Sequence, residues 1–118
     1  MKLNGLGRAG IKVRIISIAA IVLLGIVIYG SMLDNEFIYN DHEMVVGNSF
    51  LTDWRNLSKF FGPEYFAGSK EATYRPLVTL SFFADHAVWG FDPFGYHLTN
   101  LFFHVFNGIL VFWMLSLL

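Results

Sequence analysis

The sequence predicts an all-α membrane protein with two transmembrane helices, an extracytoplasmic loop and an interfacial helix, forming part of a larger multispan fold. Three observations lead there. The 118 residues are 55% hydrophobic and only 14% charged, against roughly a quarter charged in ordinary soluble domains. The charges are bunched, leaving Ile15–Leu33 and Pro93–Leu118 without a single Asp, Glu, Lys or Arg. Each of these stretches is close to or above the ~20 apolar residues that cross a bilayer core. Finally, the second stretch carries polar residues at helical spacing, so one of its faces must meet protein or water.

Residues 1–14 form a basic N-terminus. Lys2, Arg8, Lys12 and Arg14 precede the first apolar run with no acid among them. Basic flanks stay on the cytoplasmic side, so the N-terminus is expected inside and the following loop outside. Residues 15–33, IISIAAIVLLGIVIYGSML, are expected to be the first transmembrane helix. The run is longer than the 7–15 apolar residues of a cleaved signal peptide. Tyr29-Gly30-Ser31-Met32 also lacks the small-x-small cleavage pattern, and the segment reads as an uncleaved anchor.

Residues 34–73 are expected to be the outer loop. Its charges alternate with Phe37, Tyr39, Phe50, Trp54, Phe60, Phe61, Tyr65 and Phe66. Rings beside charges suit the headgroup level of a membrane. Gly62-Pro63 signals a turn. Asp53–Leu57 can open a short helix capped by Thr52 or Asp53. Residues 74–92 are expected to form a helix entered at Pro76, with proline in the first helical position. Broken by Asp85 and His86, it is short for a span and reads as interfacial. Residues 93–118 are the second transmembrane helix. There His97, Asn100, His104 and Asn107 share one face at 100° per residue. The apolar run continues to Leu118 with no polar flank, so the chain is expected to be the N-terminal piece of a longer polytopic protein, inactive by itself.

The net charge of −1 gives no footing for nucleic acid, and the absence of cysteine excludes disulfides and thiolate metal sites. Asp41, about eight residues beyond the first span, places a carboxylate near the outer membrane surface. That group suits a general base for a hydroxyl acceptor or a ligand for a divalent cation; a solvated loop acid is the plainer reading. Arg75 suits either a phosphate or a snorkelling interfacial anchor. His97 and His104 lie about 10 Å apart along a helix, too far to share one zinc ion. Asn56-Leu57-Ser58 is a formal glycosylation triplet.

The order Phe37-Ile38-Tyr39-Asn40-Asp41, Asn48, Trp54, Tyr74-Arg75-Pro76-Leu77, Trp89-Gly90, Gly95-Tyr96-His97-Leu98-Thr99-Asn100-Leu101 and His104 resembles the start of GT-C-type membrane glycosyltransferases. Within that family it is most similar to the branch in which an O-mannosyltransferase-like part precedes tetratricopeptide repeats. The resemblance runs from Phe37 to Leu118. It implies transfer of a sugar from a polyprenyl-phosphate donor to an acceptor on the outer or lumenal face, at the cell membrane or the endoplasmic reticulum. It also implies Asp41 as the catalytic acid position and Arg75 as a donor-phosphate contact. His97, Asn100 and His104 match family positions and are candidate supporting residues, and Glu43 is a candidate substitute for the missing acid that the resemblance itself does not imply. Asn40 stands where the family pattern has the first of two Asp residues, so those two positions do not supply paired carboxylates. The implied partners are the lipid bilayer, the lipid-linked donor and the remaining transmembrane helices. Two rival readings stay open: a non-enzymatic anchor or assembly module presenting the aromatic loop to a protein, and a haem- or metal-binding two-span subunit using His97 and His104.

Overall fold

Helices are the only regular elements among the described residues of the computed structural model, which are 3–39, 41–68 and 75–118. Four α-helices follow in order: α1 (Leu3–Tyr29), α2 (Pro63–Gly68), α3 (Pro76–Trp89) and α4 (Pro93–Leu115). Short 3-10 turns occupy Gly30–Asp34, Ser49–Thr52 and Trp54–Ser58, and a π-helical turn occupies His42–Val46. Two helices are long and apolar enough to cross a membrane. They run over Gly10–Asp34 and Pro93–Leu115, with mean hydropathies of 2.5 and 1.6. The protein is an all-α membrane protein.

Helix α1 starts well before Ile15. Lys and Arg are good helix formers, so Lys12 and Arg14 do not stop it.

The chain divides into two compact units, residues 1–32 with 100–118, and residues 33–99. In the first, α1 packs on the C-terminal part of α4 through small residues. A Cβ at Gly25 would meet Val105 Cγ2 at 2.6 Å, and one at Gly108 would meet Ile21 Cγ2 at 3.2 Å. Close backbone approach of this kind is how helices associate where lipid removes the hydrophobic drive.

In the second unit, α3 is packed on two sides. On one side Phe82 packs against the buried cluster of Phe37, Val45 and Tyr96. On the other lie Leu51, Phe60, Tyr65 and Phe83, all buried. Phe60 meets Tyr65 and Phe83 edge-on, with centroids 5.1 and 6.4 Å apart. Buried Asn48 caps the Ser49–Thr52 turn by accepting from the Phe50 N–H, while its amide donates to the Tyr65 hydroxyl. Asp53 caps the next turn through the Arg55 N–H, so of the two expected caps it is the aspartate that serves; the Thr52 hydroxyl bonds the Ser49 carbonyl instead. The Asn56 amide donates to the Phe50 carbonyl, which holds the glycosylation triplet inside this fold.

The turn from α3 to α4 explains the spacing Trp89-Gly90 to Gly95-Tyr96. Gly90 takes φ +62°, a conformation with no Cβ penalty for glycine. Tyr96 donates its hydroxyl to the Gly90 carbonyl at 2.9 Å. Asp92 accepts from the Phe94 N–H, opening α4 ahead of Pro93. Trp89 lies flat on Gly95, where an added Cβ would overlap the indole ring.

Alanine normally gains about 1 kcal/mol over glycine inside a helix. At Gly95 the overlap reverses the sign, and Gly95→Ala is expected to cost about 1–3 kcal/mol. At Gly10, where an added Cβ meets nothing, Gly10→Ala is expected to be neutral or stabilising. Unfolding in detergent followed by circular dichroism separates the two.

Candidate functional site

The segment after the first span is held by one ring. Phe37 is buried and meets Tyr96 edge-on at 5.2 Å, with the His42 and His97 rings at 6.4 and 6.5 Å. One residue earlier than Glu36, the Asn35 carbonyl lies 3.1 Å from His97 Nε2. The loop start is therefore tied to the first turns of α4 by aromatic packing and one hydrogen bond.

From Phe37 the chain turns sharply. The Asp41 N–H donates to the Ile38 carbonyl at 3.1 Å, and the Ile38 N–H donates back to Asp41 Oδ2 at 3.3 Å. Between them Tyr39 has φ +52° and is 94% exposed. A tyrosine there costs about 1–2 kcal/mol, and such residues persist only where their surroundings over-determine them. Here the Phe37 cluster on one side and the His42–Val46 turn on the other supply that constraint. Asp41 stands at the N-terminus of that turn and is half-buried. Asn40 lies outside the described residues.

Arg75 is the residue before α3, and its carbonyl accepts from both the N–H and the hydroxyl of Thr79. Its guanidinium Nη2 lies 3.2 Å from Met44 Sδ. Met44 belongs to the same π-helical turn that begins after Asp41. The two residues singled out in sequence, 34 positions apart by number, thus reach the same short element. Glu43 is also on that turn, exposed to solvent.

The polar residues of α4 divide between the units. His97 is engaged with Asn35 and Phe37 in the loop unit. Asn100, His104 and Asn107 belong to the other unit and are exposed. There His104 packs edge-on against Tyr29 at 4.7 Å. Tyr29, His104 and Asn107 line part of an open groove of about 510 Å³ between α1 and α4, otherwise bounded mainly by aliphatic side chains. No cluster of three His, Cys, Asp or Glu side chains forms among the described residues.

Asp85 is the residue that sequence reasoning undervalued, treating it only as an interruption of an apolar run. It is 6% exposed and accepts a 2.6 Å hydrogen bond from the Thr99 hydroxyl. Burial raises its carboxyl above the ordinary 3.8, and the Thr99 bond partly offsets that rise. The signal was available: a lone acid in an apolar helix must find a partner or lose its charge.

Comparison with known proteins adds a second line. The chain is 35% identical over 86 residues to protein O-mannosyl-transferase TMTC2 of Mus musculus, covering 69% of the chain and 10% of that protein. It is 32% identical over 94 residues to protein O-mannosyl-transferase Tmtc1 of Drosophila melanogaster, covering 75% of the chain and 11% of that protein. Protein O-mannosyl-transferase TMTC4 of Homo sapiens is 30% identical over 94 residues, covering 75% of the chain and 12% of that protein. The chain spans about a tenth of the length of these curated relatives. No family model and no solved structure matches it. Over the matched residues the chain is a homologue of proteins named O-mannosyl-transferases.

Asp85 also gives a pH dependence. A carboxyl whose folded pKa is raised binds its proton more tightly when folded. Stability is then greatest below the ordinary value of 3.8 and falls as pH rises from there through the raised value, becoming flat above it. Thermal unfolding in detergent between about pH 4 and 7 is expected to show this decline. Asp85→Asn is expected to remove Asp85's share of the decline, leaving a smaller pH dependence.

Proposed function

We propose that this chain is part of a longer GT-C-type membrane glycosyltransferase, in which tetratricopeptide repeats follow the multispan part. The reaction proposed is transfer of a sugar, a mannosyl group given the names of the relatives, from a polyprenyl-phosphate donor to a hydroxyl acceptor on the outer or lumenal face. The observation that carries this reading is the convergence of Asp41 and Arg75 on the His42–Val46 turn, within a sequence homologous to O-mannosyl-transferases. The basic N-terminus supports a cytoplasmic start and an outer loop.

In this reading Asp41 is the general base. Its carboxylate takes the proton of the acceptor hydroxyl as the acceptor oxygen bonds to the anomeric carbon. The bond from that carbon to the donor phosphate breaks, and its electron pair leaves with polyprenyl phosphate. Arg75 meets the charge on that phosphate, which its planar fork of donors suits. Asp41 lies in the loop that follows the first span and Arg75 stands at the start of α3, both proposed to sit near the depth at which a lipid-linked phosphate lies.

Helix α3 is proposed to lie at the interface with its outer stripe in lipid. Leu77, Leu80 and Val88 are 79%, 43% and 73% exposed, and Ala84 and Ala87 are exposed between them. The buried positions of the same helix include Thr79 and Asp85. That polarity is the reverse of a water-facing helix.

The exposed rings of Tyr39, Trp54 and Phe61 favour a second reading, a loop that binds a partner protein without catalysis. Sugar-transfer assays on the longer protein decide between them. Asp41→Asn is expected to lower kcat by about 10²–10⁴-fold with unchanged membrane insertion, and Arg75→Lys to raise the donor KM. Transfer at the parent rate by Asp41→Asn ends the catalytic reading.

The sequence has no cysteine, so single cysteines at Leu77, Leu80, Ala84 and Val88 can each be spin-labelled in lipid vesicles. All four are expected to be reached by dissolved oxygen and protected from an aqueous nickel chelate; preferential nickel access would place the stripe in water.

A further inference from the structure

Two side-chain contacts, the rungs of a short seam, join α3 to α4. Phe82 meets Tyr96, with centroids 6.0 Å apart, and three residues further along both helices Asp85 meets Thr99 at 2.6 Å. The first rung is ring against ring and tolerates sliding. The second is directional, since a hydrogen bond weakens steeply with misalignment. It is also partly enclosed, with Asp85 6% exposed and Thr99 half-buried, so competition from water is reduced.

Both ends of this seam lead to the candidate site. Tyr96 carries Phe37 on its edge, and Phe37 begins the turn that ends at Asp41. On the other helix, Arg75 precedes Pro76 and stands ten residues before Asp85, about 15 Å along the axis at 1.5 Å per residue. A small rotation of α3 about the Asp85 rung is therefore a larger displacement at Arg75.

We infer that Asp85 and Thr99 are positioning residues: their hydrogen bond fixes the register of α3 on α4 and thereby the distance from Arg75 to the Asp41 turn. The catalytic meaning of that distance rests on the proposed sugar transfer. The register itself does not.

What the bond requires is an acceptor at position 85 and a hydroxyl at position 99, and charge is not needed. Asp85→Asn keeps the acceptor and Thr99→Ser keeps the donor. Asp85→Leu and Thr99→Val remove them, the second with almost no change of shape. With cysteine absent from the sequence, Val46→Cys and Leu77→Cys give one label on the π-helical turn and one on α3, both at exposed positions. Electron–electron distance measurement on the doubly labelled chain in lipid nanodiscs then reads the register directly.

A narrow distance distribution is expected for the parent, Asp85→Asn and Thr99→Ser. A broadened or shifted one is expected for Thr99→Val and Asp85→Leu, at unchanged helix content by circular dichroism. An unchanged distribution in Thr99→Val overturns the inference. So does broadening in Asp85→Asn, which makes the charge and not the bond the requirement. Loss of helix content in both Thr99→Val and Asp85→Leu overturns it too, making the pair a folding requirement. In the longer protein, Thr99→Val is expected to lower kcat about 10–100-fold while Thr99→Ser restores it. Absence of transfer by the unmutated longer protein sinks the catalytic reading alone and leaves the distance result standing.

Discussion

The edge-to-face contact of Phe37 with Tyr96 is the constraint on which the loop unit depends. Phe37 joins a segment with little regular structure to a helix fixed by its own backbone. Without a buried side chain there, the strained Tyr39 and the turn to Asp41 would have no rigid reference. Aromatic pairs of this geometry add about 0.5–1.5 kcal/mol beyond the area they bury. That is comparable with the cost of holding a tyrosine at positive φ, so the contact is large enough to offset the strain beside it. His97 bonding the Asn35 carbonyl fixes the backbone two residues before the ring, which leaves the segment little freedom to pivot about Phe37.

Helix α3 applies the same logic with polarity reversed. Its inward residues include a threonine and an aspartate, while its outward stripe is leucine, alanine and valine. In water such a helix would turn over, because exposing the stripe costs about 25 cal/mol for each Å² of apolar surface. In a lipid environment the stripe is at no disadvantage, and the hydrogen bond from Thr99 to Asp85 is enclosed where competition from water is weakest. In the proposed lipid-facing placement the hydrogen bond and the apolar stripe therefore support one another.

Much of this was legible in the sequence, and the reasons differ by element. The two long helices follow from charge-free runs, since length and hydropathy alone define them. The cap at Asp53 and the proline at the start of α3 are local signals, and local signals act through neighbouring backbone. The meeting of Arg75 with the turn after Asp41 was not legible from composition or periodicity, because it depends on how α3 folds back over the loop. The role of Asp85 was missed for a related reason. Its partner lies 14 residues away, across a turn whose geometry depends on Gly90 and on Trp89 lying over Gly95. The helical face shared by His97, Asn100, His104 and Asn107 was read from spacing, but spacing did not say that the face would be used unevenly.

That uneven use bears on what the second span needs. His97, near the start of α4, has its ring nitrogen within hydrogen-bonding distance of a backbone carbonyl and its ring tilted towards Phe37. Asn100, His104 and Asn107 are exposed on the same helix further in. A polar side chain facing hydrocarbon is costly, and groups retained there face protein or a wet cavity. Tyr29 meets the edge of His104 and takes up part of that demand. Along the groove that Asn107 lines, the α1 residues are aliphatic or glycine apart from Tyr29. The same spacing that makes α4 a good loop anchor at one end makes it a poor lipid-facing helix at the other. A bundle of further helices, as in the proposed multispan parent, resolves that conflict by placing the amides in its interior.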